Sequence, residues 1–187
     1  GFSTDIPCYN KDELIKYLID KLENKELSKH LKPHYNNFKG TISKIDGEKN
    51  KWLVKGVYEK DLKKNKIMIK ELPIGVWTTK YKEYLEKLIH DKKIIKDVQD
   101  MSADKIVDIT LTFHKGELDK LLKDKGDYGC DKLEKTLKLY TTISTNNMNL
   151  FTADDKLKHY NDVYEIIDDF YKVRLCHFDE RKKYQIN

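Results

Sequence analysis

Arginine is nearly absent. Arg174 and Arg181 are the only two in 187 residues, so almost every cation is a lysine. Bidentate readout of guanine in the major groove favours arginine, whereas lysine meets phosphate as a point charge and is blind to sequence. A chain of this kind that binds nucleic acid is expected to hold backbone rather than read bases. Cysteine is scarce as well. Cys8, Cys130 and Cys176 are scattered and odd in number, which fits free thiols in a reducing compartment rather than a disulfide framework. The six histidines are equally scattered, and none pairs with a cysteine at ligand spacing, which argues against a zinc site. No apolar run approaches the roughly 20 residues of a membrane span, and no signal peptide is visible, so no membrane partner is expected. A Gly-rich phosphate loop, an internal repeat, a low-complexity tract and a flexible linker are all missing.

Hydrophobic residues make up 39% and charged residues 37%, yet twelve tyrosines, six phenylalanines and two tryptophans are enough to build a core. The length suits one large domain or two small, closely packed ones. Acids and bases are interspersed, and the net charge of +5 permits a nucleic-acid partner without requiring one. The abundance of Lys, Asn, Ile and Asp also fits an AT-rich coding sequence.

Periodicity predicts a helix over Lys11–Glu23, capped by Asn10. Strands are predicted over Phe38–Ile45, Lys51–Tyr58 and Lys66–Leu72 as an antiparallel meander. A helix is expected over Trp77–Leu88 with Thr78 and Thr79 as caps, followed by a charged connector, Ile89–Asp104. Lys105–His114 alternates most clearly as a strand. A short helix over Lys115–Lys123 follows, and Asp131 is placed to cap the next. From the cap Asp162, residues Val163, Ile166, Ile167, Phe170, Val173, Arg174 and His177 recur at helical spacing, as at the root of a coiled coil.

Three segments stand out. Lys138–Phe151 (KLYTTISTNNMNLF) begins as an alternating strand and ends in small hydroxyl and amide side chains between apolar anchors, a design that can hold donors against a polyanion. Glu71–Lys82 (ELPIGVWTTKYK) ends a strand at Leu72-Pro73 and opens a helix whose first turn carries Lys80, Tyr81 and Lys82. Free amides beside lysines make a phosphate site. Trp77 is expected to anchor that corner while Thr78, Lys80 and Lys82 face outward. Gly1–Pro7 (GFSTDIP) contains the apolar pair Ile6-Pro7, which on its residues alone is a loop packing against the body. Together with Phe38-Lys39-Gly40-Thr41-Ile42 and the last helix, these segments resemble eukaryotic-type (type IIA) DNA topoisomerase II, in the tower region that follows the catalytic tyrosine domain.

The resemblance covers nearly the whole chain and departs at Leu88–Asp104 and Lys123–Asp131. It implies that Ile6, in the pattern carried by Gly1, Phe2, Ser3, Ile6 and Pro7, is a wedge entering a base step of bound duplex and bending it. It implies DNA contacts from Lys39, Trp77, Thr78, Lys80, Lys82, Thr142, Ser144, Asn146 and Asn147, with Asn146 and Asn147 foremost. Met148 and Phe151 are expected to hold their loop down, and Gly40 to allow close backbone approach. No catalytic or metal residue is expected here. In the family the nucleophilic tyrosine, the magnesium-binding acids and the ATPase lie upstream, so the chain reads as an excised fragment of an ATP-driven homodimeric enzyme that uses Mg2+ and ATP.

The expected fold is α+β, an antiparallel sheet with flanking helices, ending in a long helix that begins a coiled coil. Residues 1-161 form the tower-like domain and 162-187 the start of the arm. The expected function is to bind and bend the cleaved double-stranded DNA during strand passage. The alternatives are a non-catalytic, sequence-independent duplex-binding module of different ancestry, or an interaction domain whose basic faces only solubilise it. The compartment is nuclear if the protein is cellular, and host cytoplasm if it comes from a large DNA virus.

Overall fold

The computed structural model describes residues 1–104 and 106–186; Lys105, the first residue of the predicted Lys105–His114 strand, and Asn187 lie outside the described residues. In chain order the elements are helix α1 (Lys11–Leu22), strands β1 (Thr41–Lys44), β2 (Lys51–Lys55), β3 (Val57–Asp61) and β4 (Lys66–Glu71), helix α2 (Thr78–His90), strands β5 (Ile95–Asp100) and β6 (Ile109–Phe113), helices α3 (Glu117–Lys123) and α4 (Lys132–Thr136), strands β7 (Tyr140–Ser144), β8 (Asn149–Phe151) and β9 (Leu157–His159), and helix α5 (Val163–Ile186). This is the expected α+β class with antiparallel pairing and a long final helix. The chain divides into two units, one of residues 36–143 and the other of residues 1–35 with 144–187.

Residues 36–143 are organised by an antiparallel sheet of order β3-β4-β6-β5. Its two central strands alternate, so Ile67, Ile69, Ile109, Leu111 and Phe113 are buried together. Helix α2 lays Tyr81, Leu85 and Leu88 into the same core, at the three- and four-residue spacing that puts them on one face. Leu118, Leu133 and Leu137 complete it. The Tyr81 hydroxyl donates to the Leu137 carbonyl at 2.6 Å, and burial drives this phenol far above its ordinary pKa.

The predicted strand Lys51–Tyr58 is broken at Gly56. A Cβ there would lie 2.2 Å from the Glu71 carbonyl oxygen, and the Gly56 N–H donates to Leu139 at 2.9 Å. The break sends β2 into a sheet of order β1-β2-β7 and β3 into the four-stranded one. The predicted single meander is therefore two sheets in this unit. The strand expected over Phe38–Ile45 shrinks to β1. Gly40 makes the close approach expected of it, with space for a Cβ only 2.1 Å from the Lys55 carbonyl.

Ile89–Asp104 is not merely a connector, because it contains β5. This is an edge strand with an irregular register between Ile95 and Asp97, so Ile95 and Val98 fall out of simple alternation and the periodic signal is lost. Helix α2 also differs from expectation. Its cap is Trp77, with no side-chain hydrogen bond, and Thr78 and Thr79 lie inside the first turn. The predicted caps elsewhere are present. Asn10 accepts from the Asp12 and Glu13 amides, and Asp131 forms a capping box with Glu134. Asp162 accepts from the Glu165 amide at 2.9 Å.

The second unit joins α1, the β8–β9 hairpin and α5. Tyr17, Leu31, Tyr164 and Ile167 form its core, with the Leu31 N–H donating to the Tyr164 hydroxyl at 2.7 Å. Lys21 and Asp168 form an ion pair between α1 and α5. Beyond this root, α5 carries exposed apolar side chains at Phe170, Val173 and Phe178.

Candidate nucleic-acid interface

Within the unit of residues 1–35 and 144–187, the Gly1–Pro7 segment is laced onto the loop before β8. The Asp5 N–H donates to the Asn147 carbonyl at 2.7 Å, and the Thr4 hydroxyl donates to the same oxygen at 3.3 Å. The Asn147 amide donates to the Ser3 hydroxyl at 3.1 Å. Asn149 adds two bonds: its backbone N–H reaches Thr4 Oγ1 at 3.2 Å and its side chain reaches the Ser3 carbonyl at 3.0 Å. The Asn147 Oδ1 accepts from the Asn149 side chain at 2.9 Å. His159 on β9 stands 3.0 Å from the other end of the Asn149 amide. Phe2 meets Phe151 edge to face at 5.3 Å.

This lacing fixes both flanks of Ile6. Asp5 is tied on one side; Pro7 is buried on the other, and the Cys8 carbonyl accepts from the His34 N–H at 2.8 Å. Ile6 itself is half-buried. Asn147 is consumed by the lacing, while Asn146 and Ser144 are exposed, with the Asn146 N–H on Ser144 Oγ at 3.3 Å. Met148 is fully buried, as expected of a loop anchor. Phe151 is not: it is 58% exposed and packs on Phe2 instead of the core. The lacing residues Ser3, Thr4 and Asn149 were missed as a group. The one signal was the position of Asn149 between buried Met148 and half-buried Leu150, where an amide must find internal partners.

In the unit of residues 36–143, the corner after β4 presents Trp77 at 74% exposure. The expectation that Trp77 anchors the corner is overturned. Leu72 and Pro73 are buried there, and the indole stands in solvent beside exposed Lys80. Thr78 is half-buried, Lys39 and Thr142 are exposed, and Thr141 donates to the Ile74 carbonyl at 3.0 Å, tying β7 to the corner. Lys138 lies over the Tyr84 ring, 3.9 Å from its centroid. Because no side chain caps α2, the amides of its first turn face outward with the positive end of the helix dipole.

Lys82 is not a free cation, for it is ion-paired with Asp100. The hydrogen bond from Lys82, then those from Ser102, hold the Asp100 carboxyl down at about 2. Its stabilising contribution is present above the ordinary carboxylate pKa and is lost as pH falls from about 4 to about 2. In Lys82→Ala the Asp100 pKa is expected to move back toward the ordinary range, read by NMR titration. An unchanged value would show that the pair is not its main cause. Among the described residues no group of three or more His, Cys, Asp or Glu is placed to hold a metal ion, and no helix is long and apolar enough to cross a membrane.

A family model for DNA gyrase/topoisomerase IV matches residues 1–187. The chain belongs to this type II topoisomerase family. It is 35% identical to the mitochondrial DNA topoisomerase 2 of Dictyostelium discoideum over 98% of its length, and 34% identical to DNA topoisomerase 2 of Plasmodium falciparum over 100%. It spans only 14% and 13% of those two topoisomerases. The fold agrees: the crystal structure of the P. falciparum topoisomerase II DNA-binding, cleavage and re-ligation domain superposes with a TM-score of 0.88 at 33% identity, covering 99% of this chain and 24% of that one. Family membership sets aside a module of different ancestry.

Proposed function

We propose that this chain is the part of a type IIA DNA topoisomerase that holds and bends the duplex to be cut. The observation that carries the reading is the laced Gly1–Pro7 segment: a stretch held by hydrogen bonds to Asn147 and Asn149, with an apolar residue fixed between two tied neighbours. An apolar side chain so held can enter a base step, which costs a few kcal/mol of unstacking that a floppy loop would not sustain. The other unit offers Trp77, Lys80, Lys39, Thr142 and the open amides of α2, a sequence-blind set suited to sugar and phosphate. Ser144 and Asn146 are the outward polar groups of the laced loop in this reading, whereas Asn147 serves from behind.

In the same reading the whole protein is an ATP-driven homodimer whose Mg2+ and ATP are held outside these residues. It works in the nucleus of a cell, or in host cytoplasm if it comes from a large DNA virus. Binding of a 40-bp duplex, titrated against salt, tests the platform. A DNA platform loses affinity linearly in log–log form, with a slope of about 0.9 per phosphate neutralised. Little binding at any salt would leave only a solubilising surface. Asn149→Ala, which removes the side-chain bond to Ser3, is expected to reduce duplex bending measured by FRET at least twofold while changing affinity less than about threefold. Equal loss of both would assign Asn149 to direct contact instead.

A further inference from the structure

A groove on the unit of residues 36–143 is lined by Lys92, Lys123, Lys125, Lys132 and Lys135 around the edge of Tyr84, with Asp124 as its carboxylate. Two of the five lysines are neutralised: Lys132 pairs with Asp124 at 2.7 Å and Lys135 with Asp127 at 2.8 Å. Among the described residues Lys92, Lys123 and Lys125 have no acidic partner, and all three are exposed. Three uncompensated cations sharing one concavity repel one another, an arrangement that a polyanion relieves. Tyr84 also lines the neighbouring concavity of Trp77, Lys80 and Lys138, so the two are continuous along the flank of α2. From Lys80 to His90 this flank is about 15 Å long at 1.5 Å per residue, the reach of about four phosphates on one strand.

We infer that this groove is a second phosphate-backbone site, extending the footprint of double-stranded DNA from the Trp77–Lys80 corner toward Lys92, Lys123 and Lys125. The inference rests on the duplex-binding reading above and goes beyond it. These three lysines lie in the two segments where the chain departs from the family pattern, so the resemblance assigns them nothing. The chemistry selects the occupant. The groove has no exposed aromatic face, because the Tyr84 ring is covered by Lys138 and its hydroxyl is spent on the Thr136 carbonyl at 2.7 Å. A single strand, which needs stacking platforms, is disfavoured. None of the large exposed apolar residues lines the groove, so an acidic peptide would lack anchors. Lysine without arginine suits backbone rather than base edges.

The test is the salt dependence of binding to a 40-bp duplex by the 187-residue chain, compared with the triple variant Lys92→Gln, Lys123→Gln, Lys125→Gln. A control triple, Lys172→Gln, Lys182→Gln, Lys183→Gln on α5, removes the same net charge. All six side chains are exposed, and thermal melts confirm folding. The groove triple is expected to lower the log–log slope by between about 2 and 3, at about 0.9 per lost contact, and the control by less than about 1. An unchanged slope in the groove triple, or equal falls in both triples, overturns the groove and leaves the platform standing. Loss of polyglutamate binding with the duplex slope untouched overturns the duplex assignment in favour of an acidic peptide. A wild-type chain that binds no duplex overturns the platform, and the groove with it.

Discussion

Ile6→Ala is expected to leave the chain on duplex DNA but to straighten the duplex. The substitution removes three carbons, worth about 2 kcal/mol at about 0.8 kcal/mol each. That is the same order as the few kcal/mol of unstacking a wedge must offset. With alanine the balance tips toward a stacked, unbent helix. Affinity changes little because the lost wedge contact and the unstacking no longer required nearly cancel, while the lysine contacts persist; the fall should stay below about tenfold. End-to-end FRET on a labelled duplex reads the bend and a filter or anisotropy titration reads the affinity. A bend retained in full would mean that Ile6 packs against its own unit and that another residue deforms the DNA. The lacing makes the prediction specific to position 6, since Asp5 and Pro7 are both immobilised around it.

Leu85→Ala should give the largest loss of stability. Leu85 is fully buried between Tyr81 and Leu88 on α2, against the β4–β6 core. Truncation removes its transfer energy and leaves a cavity, a cost of about 2–5 kcal/mol. In a unit of this size that lowers the melting temperature by about 10 °C or more, since each kcal/mol shifts it by about 4–8 °C. Calorimetry checks it, and a fall under about 4 °C would show that the site collapses around the missing side chain. The consequence reaches function. Helix α2 carries Lys80 and begins at Trp77, so its loosening should weaken duplex binding on warming before the chain unfolds.

Much of this was legible in sequence where burial imposes a period. The β6 residues Ile109, Leu111 and Phe113 read plainly because a strand paired on both sides keeps one face in the core. The amphipathic helices α1 and α2 read for the same reason. Edges did not. Strand β5 pairs on one side and slips register, and β9 is exposed throughout, so neither leaves alternation to find. The break at Gly56 was hidden because VKGVY continues an apolar-polar pattern, and only the proximity of the Glu71 carbonyl explains the glycine.

The site was half legible. Polar runs advertise hydrogen bonding but not its direction: Asn147 read as an outward donor, yet it faces the Gly1–Pro7 segment. Trp77 read as an anchor because tryptophan usually is one; the exposed indole reverses that reading and strengthens the corner as a contact surface. Lys82 read as a free cation, but its carboxylate partner Asp100 sits on the strand that the sequence concealed. The single missed strand therefore accounts for the misjudged charge.

The central claim is that the laced N-terminal segment opens one step of a duplex. Place 2-aminopurine at successive steps of a 30-bp duplex, saturate each with the 187-residue chain, and record fluorescence, which rises on unstacking. The account predicts a rise at the step entered by the wedge, lost in Ile6→Ala at equal saturation. Quenched, stacked signals at every step with the duplex fully bound would contradict it.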